Sequence, residues 1–116
     1  MSAKKNWTAI TAADNIPPQE GRGVTVAGVE IAIFNLKDGY RTIANKCPHK
    51  GGPLCDGIVA GTSVVCPLHG RRFDLNTGMP VRASEPDCVA TFPTRIRSGI
   101  VYVDLSSTHE LVKSLS

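Results

Sequence analysis

The sequence contains few aromatic residues and no long apolar run, and each shortage excludes a class of structure. Aromatic residues make up 5% of the 116 residues, so the core must be built mainly from valine, isoleucine, leucine and alanine. No stretch approaches the roughly 20 apolar residues of a membrane-spanning helix, and no secretory signal is visible at the N-terminus. These shortages predict a cytoplasmic protein with no membrane partner.

Concentrated charge and catalytic motifs are also missing. The net charge is +3 and is scattered along the chain, and no basic stripe alternates with stacking aromatic residues as nucleic-acid binding requires. The sequence has no Gly-x-Gly-x-x-Gly motif for a nucleotide and no serine or cysteine nucleophile beside a convincing base. We therefore expect neither a nucleic-acid partner nor an independent active site.

Turn-forming residues are abundant and predict a mostly antiparallel all-β fold. Eleven glycines and eight prolines favour short strands over long helices. Asp38-Gly39 predicts a type I′ hairpin turn, and the alternation of Val101, Val103 and Leu105 predicts a strand with one buried face. Strands are predicted at 7–10, 24–26, 29–36, 40–45, 58–59, 63–65, 72–75, 89–97 and 100–105.

The length of the chain suggests one domain of ordinary size. We assign residues 1–5 to a flexible N-terminal tail and residues 6–105 to the domain. Residues 106–116 are predicted to form a tail or a short helix. Ser107-Thr108-His109-Glu110 fits a capping box, but the segment is too brief for a helix that is stable alone.

Two short segments, Cys47-Pro48-His49 and Cys66-Pro67-Leu68-His69, each place one cysteine and one histidine within a single loop. Four such ligands suit tetrahedral zinc, and they also suit a [2Fe–2S] cluster in which two histidines replace two cysteines. Zinc modules commonly pair cysteine with cysteine and histidine with histidine along the chain, whereas each loop here supplies one of each. This distribution favours the cluster and leaves zinc as the alternative.

The two segments resemble the signature of the Rieske [2Fe–2S] family, and Arg72-Phe73-Asp74 and Thr77-Gly78 match its usual continuation. The resemblance covers about residues 6–105. It implies an all-β fold of three antiparallel sheets, with a small cluster-binding subdomain of two hairpin loops. It further implies that Cys47 and Cys66 bind the inner iron and that His49 and His69 bind the outer iron.

Four positions depart from the respiratory branch of that family. Gly52 and Leu68 stand where that branch has two disulfide-forming cysteines, and Arg71 and Phe73 stand where it has hydroxyl donors to the cluster sulfurs. Fewer hydrogen bonds to sulfur leave the reduced cluster less stabilised. We therefore predict a potential in the lower part of the Rieske range of roughly −150 to +300 mV.

Within the family, the chain is most similar to the small subunit of assimilatory NAD(P)H-dependent nitrite reductase. The similarity lies in segments 31–36, 45–54, 56–59 and 61–70. It implies a large partner subunit with FAD, an iron–sulfur cluster and sirohaem, which reduces nitrite to ammonium. A Rieske ferredoxin that serves an aromatic-ring-hydroxylating oxygenase is the first alternative, and a structural or regulatory metal module is the second.

The remaining candidate residues receive simpler interpretations. Without a secretory signal, disulfides are not expected, so Cys55 and Cys88 are predicted to be small buried apolar residues. His109 is predicted to lie at the surface. Arg71 and Arg72 flank the second ligand loop and either guide a partner by charge or are merely solvated.

Overall fold

The computed structural model describes residues 7–46, 52–67, 70–82 and 88–106, and nearly all of their regular structure is strand. Short 3₁₀ turns occupy Ala13–Asn15 and Leu54–Asp56. The strands are β1 (Trp7–Ala12), β2 (Gly21–Val26), β3 (Val29–Leu36), β4 (Gly39–Ala44), β5 (Ile58–Ala60), β6 (Ser63–Val65), β7 (Arg72–Asp74), β8 (Thr91–Phe92), β9 (Thr94–Arg97) and β10 (Ile100–Asp104).

In these ranges the strands form three antiparallel sheets, as expected. Sheet A has the order β1-β10-β9, sheet B the order β2-β3-β4-β8, and sheet C the order β5-β6-β7. Sheet C follows the first predicted ligand loop and contains the second, so it corresponds to the small subdomain that the resemblance implied. The all-β architecture of antiparallel sheets predicted from the sequence is confirmed. No helix in the described part of the chain is long and apolar enough to cross a membrane.

Strand β3 is buried on both faces and joins two hydrophobic clusters. Its even-numbered residues, among them Phe34, pack with sheet C residues such as Val64 and Phe73. Its odd-numbered residues Ile31 and Ile33 pack instead with sheet A residues. Because successive side chains of a strand point to opposite faces, sheet B lies between sheets A and C and supports both.

Two hairpin turns have type I′ geometry, but the turn at Asp38-Gly39, for which this geometry was predicted, does not. Ala27-Gly28 and Ser98-Gly99 have positive φ at both central residues, as a type I′ turn requires. The turn after β3 differs: Leu36 pairs with Gly39, and Gly39 alone among residues 37–39 has positive φ. The type I′ prediction for Asp38-Gly39 was therefore wrong, since Gly39 opens β4 instead of occupying a central position.

The predicted strand 89–97 is two strands that belong to different sheets. β8 pairs with β4 in sheet B, whereas β9 pairs with β10 in sheet A. Pro93 stands between them and cannot donate a backbone hydrogen bond, although its carbonyl accepts one from the Asp104 amide at 2.9 Å. Proline thus ends pairing in one sheet and lets the chain enter the other.

Candidate metal centre

Cys66 directly follows β6 and is the first residue of the second ligand loop. Its side chain is 1% exposed and belongs to the apolar cluster between sheets B and C. The Cys66 amide donates to the Arg71 carbonyl at 2.7 Å, and the Gly70 amide donates to the Cys66 carbonyl at 3.0 Å. These bonds close a tight loop between β6 and β7 and fix Cys66 to the frame of sheet C.

Gly70 provides the bend that closes this loop. Its φ is +70°, in the left-handed region that glycine adopts without steric cost. The backbone reverses there and enters β7, where Phe73 is fully buried.

Asn45 and Cys55 stand at the two ends of the first ligand loop and are joined by a pair of hydrogen bonds. The Cys55 amide donates to Asn45 Oδ1 at 2.8 Å, and Asn45 Nδ2 donates to Cys55 Sγ at 3.2 Å. The Asn45 amide in turn donates to the Glu30 carbonyl at 3.0 Å. The two ends of the loop are therefore joined to each other and to β3.

Gly23 of β2 leaves the space in which this Asn45–Cys55 pair lies. A Cβ at Gly23 would approach Asn45 Nδ2 to 2.7 Å and Cys55 Sγ to 3.0 Å. The sequence does not reveal this unit, because Asn45, Cys55 and Gly23 come from three separate segments. The position of Asn45 two residues before Cys47 was the only signal available.

The bases of the two ligand loops meet at Gly57. A Cβ at this glycine would collide with the carbonyl oxygen of Val65, the residue before Cys66, and would lie 2.8 Å from Val64 Cγ2. Leu54, in the 3₁₀ turn after the first loop, packs in the same apolar cluster as Cys66. The fold thus brings together the segments that flank the two predicted ligand pairs.

Of the four predicted ligands, Cys66 lies in the described part of the chain, whereas Cys47, His49 and His69 lie outside it. Accordingly, no group of three or more metal-binding side chains occurs among the described residues. The buried sulfur of Cys66 at a loop base is the kind of donor that an iron–sulfur cluster requires. This residue therefore fits the predicted group.

The predicted burial of the other cysteines needs correction. Cys88 is exposed and Cys55 is partly buried, and none of the three described cysteines forms a disulfide. The prediction was wrong for Cys88, which precedes β8 outside the apolar clusters. Cys55 contacts the core cluster but also accepts a hydrogen bond, so it is not simply an apolar residue. His109 lies outside the described residues.

The two arginines after the second loop differ in exposure. Arg72 is exposed, whereas Arg71 is partly buried. Within the described structure, Arg71 Nη1 is buried and has no hydrogen-bond partner. Arg72 is therefore the residue that presents its charge to solvent at this end of sheet C.

The sequence matches one known protein family over most of its length. The profile of the Rieske [2Fe–2S] domain matches residues 6–93, which include both loops. The chain belongs to the Rieske [2Fe–2S] family. One Rieske [2Fe–2S] cluster is accordingly its cofactor, and the predicted family resemblance is confirmed.

Individual Rieske proteins of two kinds resemble the chain. The ferredoxin component of the naphthalene 1,2-dioxygenase system of Pseudomonas aeruginosa is 33% identical over 102 residues, which are 88% of this chain and 98% of that protein. A protein of Mycobacterium tuberculosis provisionally assigned as an NADH-dependent nitrite reductase small subunit has a TM-score of 0.79 and 28% identity, covering 87% and 96% of the two chains. In a complex of oxygenase and ferredoxin of carbazole 1,9a-dioxygenase, one chain has a TM-score of 0.78 and 27% identity, with coverage of 87% and 94%. This Rieske domain is therefore an electron-transfer protein that works with a partner oxidoreductase or oxygenase.

Proposed function

We propose that this Rieske protein is the electron-transfer small subunit of an assimilatory NAD(P)H-dependent nitrite reductase. The observation that carries the proposal is the segment 45–54, Asn-Lys-Cys-Pro-His-Lys-Gly-Gly-Pro-Leu. This segment resembles that subunit and differs from oxygenase ferredoxins, which generally lack the Lys-Gly-Gly-Pro run. The structural similarity to the Mycobacterium tuberculosis protein supports the same assignment. The proposed partner is the large subunit with FAD, an iron–sulfur cluster and sirohaem, acting in the cytoplasm.

The proposed cluster ligands are Cys47, His49, Cys66 and His69, within a domain that spans residues 6–105. When bound, the cluster accepts and releases one electron. The burial of Cys66 supports its place at the inner iron, because the apolar cluster around it excludes water from the thiolate. Neutral histidine ligands at the outer iron would make the site less negative and easier to reduce.

Substitution tests the ligand assignment with a matched control in the same chain. Cys66→Ala should yield protein without the visible absorption and electron paramagnetic resonance signal of a Rieske cluster. Cys88→Ala should retain both, because Cys88 is exposed and is not a proposed ligand. A Cys66→Ala protein that still holds a Rieske-type cluster would refute the assignment.

The second candidate function is that of a ferredoxin for a ring-hydroxylating oxygenase. The observation in its favour is the 33% identity to the naphthalene dioxygenase ferredoxin over nearly the whole of that protein. Both candidates use the same electron-transfer chemistry, so the partner distinguishes them.

The deciding experiment measures electron delivery to each partner. The chemically reduced protein is mixed rapidly with a purified sirohaem-containing nitrite reductase large subunit or with a terminal oxygenase, and cluster reoxidation is followed in the visible range. Rapid reoxidation by the nitrite reductase subunit, accompanied by ammonium formation from nitrite, supports the proposed function. Reoxidation by the oxygenase alone would replace it with the second candidate.

A further inference from the structure

Two side-chain nitrogens in the described part of the chain are buried without a hydrogen-bond acceptor, Arg71 Nη1 and Arg95 Nε. Such groups are rare, because a buried donor loses its hydrogen bonds to water and gains none in return. The Arg95 guanidinium lies over the Trp7 ring, 4.2 Å from its centroid, so its charge faces an aromatic partner. Arg71 makes no such contact with the other described residues, and its buried nitrogen therefore points to a different acceptor.

Strand register places Arg71 directly opposite Cys66. The pairing of β6 with β7 ends at Val65 and Arg72. The hydrogen bond of 2.7 Å from the Cys66 amide to the Arg71 carbonyl continues this register by one more pair. Directly opposed residues of an antiparallel pair have Cβ atoms about 4.5–5.5 Å apart. Arg71 is thus the cross-strand neighbour of a proposed cluster ligand.

The alternation of side chains puts Arg71 and the Cys66 sulfur on the same face of sheet C. Val64, two residues before Cys66, and Phe73, two residues after Arg71, both pack into the core. Arg72 lies between Arg71 and Phe73 and is exposed. Because successive residues of a strand point to opposite faces, Arg71 leaves the sheet on the inner side. Its partial burial agrees with this direction.

The chemistry of a guanidinium at this place fits the cluster. In the described structure the Cys66 sulfur does not accept a hydrogen bond from Arg71 Nη1, so this N–H remains available to a further acceptor on the same face. The sulfurs of an iron–sulfur cluster accept hydrogen bonds, and these bonds together with net charge set its potential. Because reduction adds one negative charge, a nearby positive charge shielded from water favours the reduced state.

We propose that Arg71 donates a charge-assisted hydrogen bond from Nη1 to a sulfur of the Rieske cluster and thereby raises the reduction potential. The guanidinium stays protonated in both redox states, so no proton moves at this residue when the electron arrives. Arg71 is a single donor, and the wild-type potential is still expected in the lower part of the Rieske range. This inference rests on Cys66 as a proposed ligand but not on the identity of the partner, because the potential belongs to this chain alone.

Two methionine variants test the proposal, since each removes one positive charge from adjacent residues on opposite faces. Arg71→Met should weaken the reduced state relative to the oxidised state about tenfold, which lowers the midpoint potential by about 59 mV for a one-electron couple. This shift should persist in high salt, because the charge is partly buried. Arg72→Met is the control, and its small shift should disappear in high salt as the exposed charge is screened. The measurement is a redox titration of the cluster-loaded proteins at both salt concentrations.

A conservative variant separates the charge of Arg71 from its bulk. Arg71→Lys keeps a positive charge and N–H donors on a shorter side chain without the planar fork. Its midpoint potential should therefore lie between those of Arg71→Met and wild type. A lysine variant with a potential at or below that of the methionine variant would show that the positive charge contributes nothing, and the proposal would fall.

Pulsed paramagnetic resonance of the reduced protein gives a test that needs no variant at position 71 to bind the cluster. With arginine labelled by nitrogen-15, wild type and Arg72→Met should show a weak nitrogen coupling to the cluster spin, and Arg71→Lys should lose it. The proposal is overturned if wild type shows no such coupling, or if Arg71→Met and Arg72→Met shift the potential equally in high salt. The Cys66→Ala experiment decides the ligand separately: if it abolishes the cluster while Arg71→Met leaves the potential unchanged, the ligand stands and the role of Arg71 is refuted.

Discussion

Replacing Asn45 by alanine should loosen the base of the first ligand loop. The substitution removes the acceptor of the Cys55 amide, 2.8 Å away, and the donor to Cys55 Sγ, 3.2 Å away. Losing the first bond and leaving a partly buried amide unsatisfied costs about 1–2 kcal/mol, and the weaker bond to sulfur adds a few tenths. We therefore expect Asn45→Ala to lower the free energy of unfolding by about 2 kcal/mol.

For a domain of this size, about 2 kcal/mol corresponds to a Tm lower by roughly 8 °C. The measurement is thermal unfolding of the cluster-loaded protein by circular dichroism, at one fixed scan rate because cluster loss makes unfolding irreversible. Bleaching of the visible absorption in the presence of an iron chelator provides a second readout. It should be faster in Asn45→Ala, since the loop that carries Cys47 and His49 has lost its anchor.

Three comparison variants separate the two hydrogen bonds. Asn45→Asp keeps an acceptor for the Cys55 amide and should lose less stability than Asn45→Ala. Cys55→Ala removes the weak sulfur hydrogen bonds to Asn45 and Asp56 together with the packing of the sulfur, about 1 kcal/mol. Cys88→Ala should behave as wild type because that side chain is exposed. The reasoning is refuted if Asn45→Ala melts within about 2 °C of wild type and bleaches at an unchanged rate.

Three further predictions concern the junction of the two ligand loops at Gly57, the β2 strand and the cluster. Gly57→Ala should be strongly destabilising, because a Cβ collides with the Val65 carbonyl. Gly61→Ala is the comparison variant: this glycine lies at a turn with φ +63°, and a Cβ there would have no atom within 4 Å. It should cost only about 1 kcal/mol of backbone strain. Equal unfolding midpoints of Gly57→Ala and Gly61→Ala in urea would contradict this expectation. Gly23→Ala alone should lower Tm and speed the bleaching of the cluster by a chelator. In a protein that already carries Asn45→Ala, the same substitution should lower Tm little further. A double variant whose loss of Tm equals the sum of the two single losses would show that the two positions are independent. A redox titration should give a midpoint potential in the lower part of the roughly −150 to +300 mV Rieske range, and a midpoint well above zero would contradict the account based on absent hydroxyl donors.

Much of the fold could be predicted because its signals are local. The strand 29–36 was predicted with the bounds that the structure shows, since a short, mainly apolar segment between two turn signals is typical of a buried strand. The burial of Val101, Val103 and Leu105 likewise confirms the predicted buried face, although Asp104 on the other face is buried as well. Turn type was less predictable, because Asp-Gly occurs both at the centre of a turn and at the start of the following strand.

The sequence predicted the ligands of the candidate site but not the contacts that hold the two ligand loops in place. Spacing within each loop indicated Cys47 with His49 and Cys66 with His69, since such pairs lie within a few residues of each other. The contacts that hold the loops come from distant segments: Asn45 to Cys55, and Gly57 to Val65. Cys55 and Cys88 were treated alike because a sequence alone does not show which cysteine meets a partner.

The sequence by itself determined the family, the cofactor and the short-range geometry of the chain. These depend on residues only a few positions apart, whose spacing is set by covalent structure. Tertiary structure alone decided that Pro93 separates two sheets, that Asn45 and Cys55 close the first loop, and that Gly57 lies against the Val65 carbonyl next to Cys66. Each of these depends on strand pairing between distant segments, and pairing is selected by burial of the whole core rather than by any local pattern.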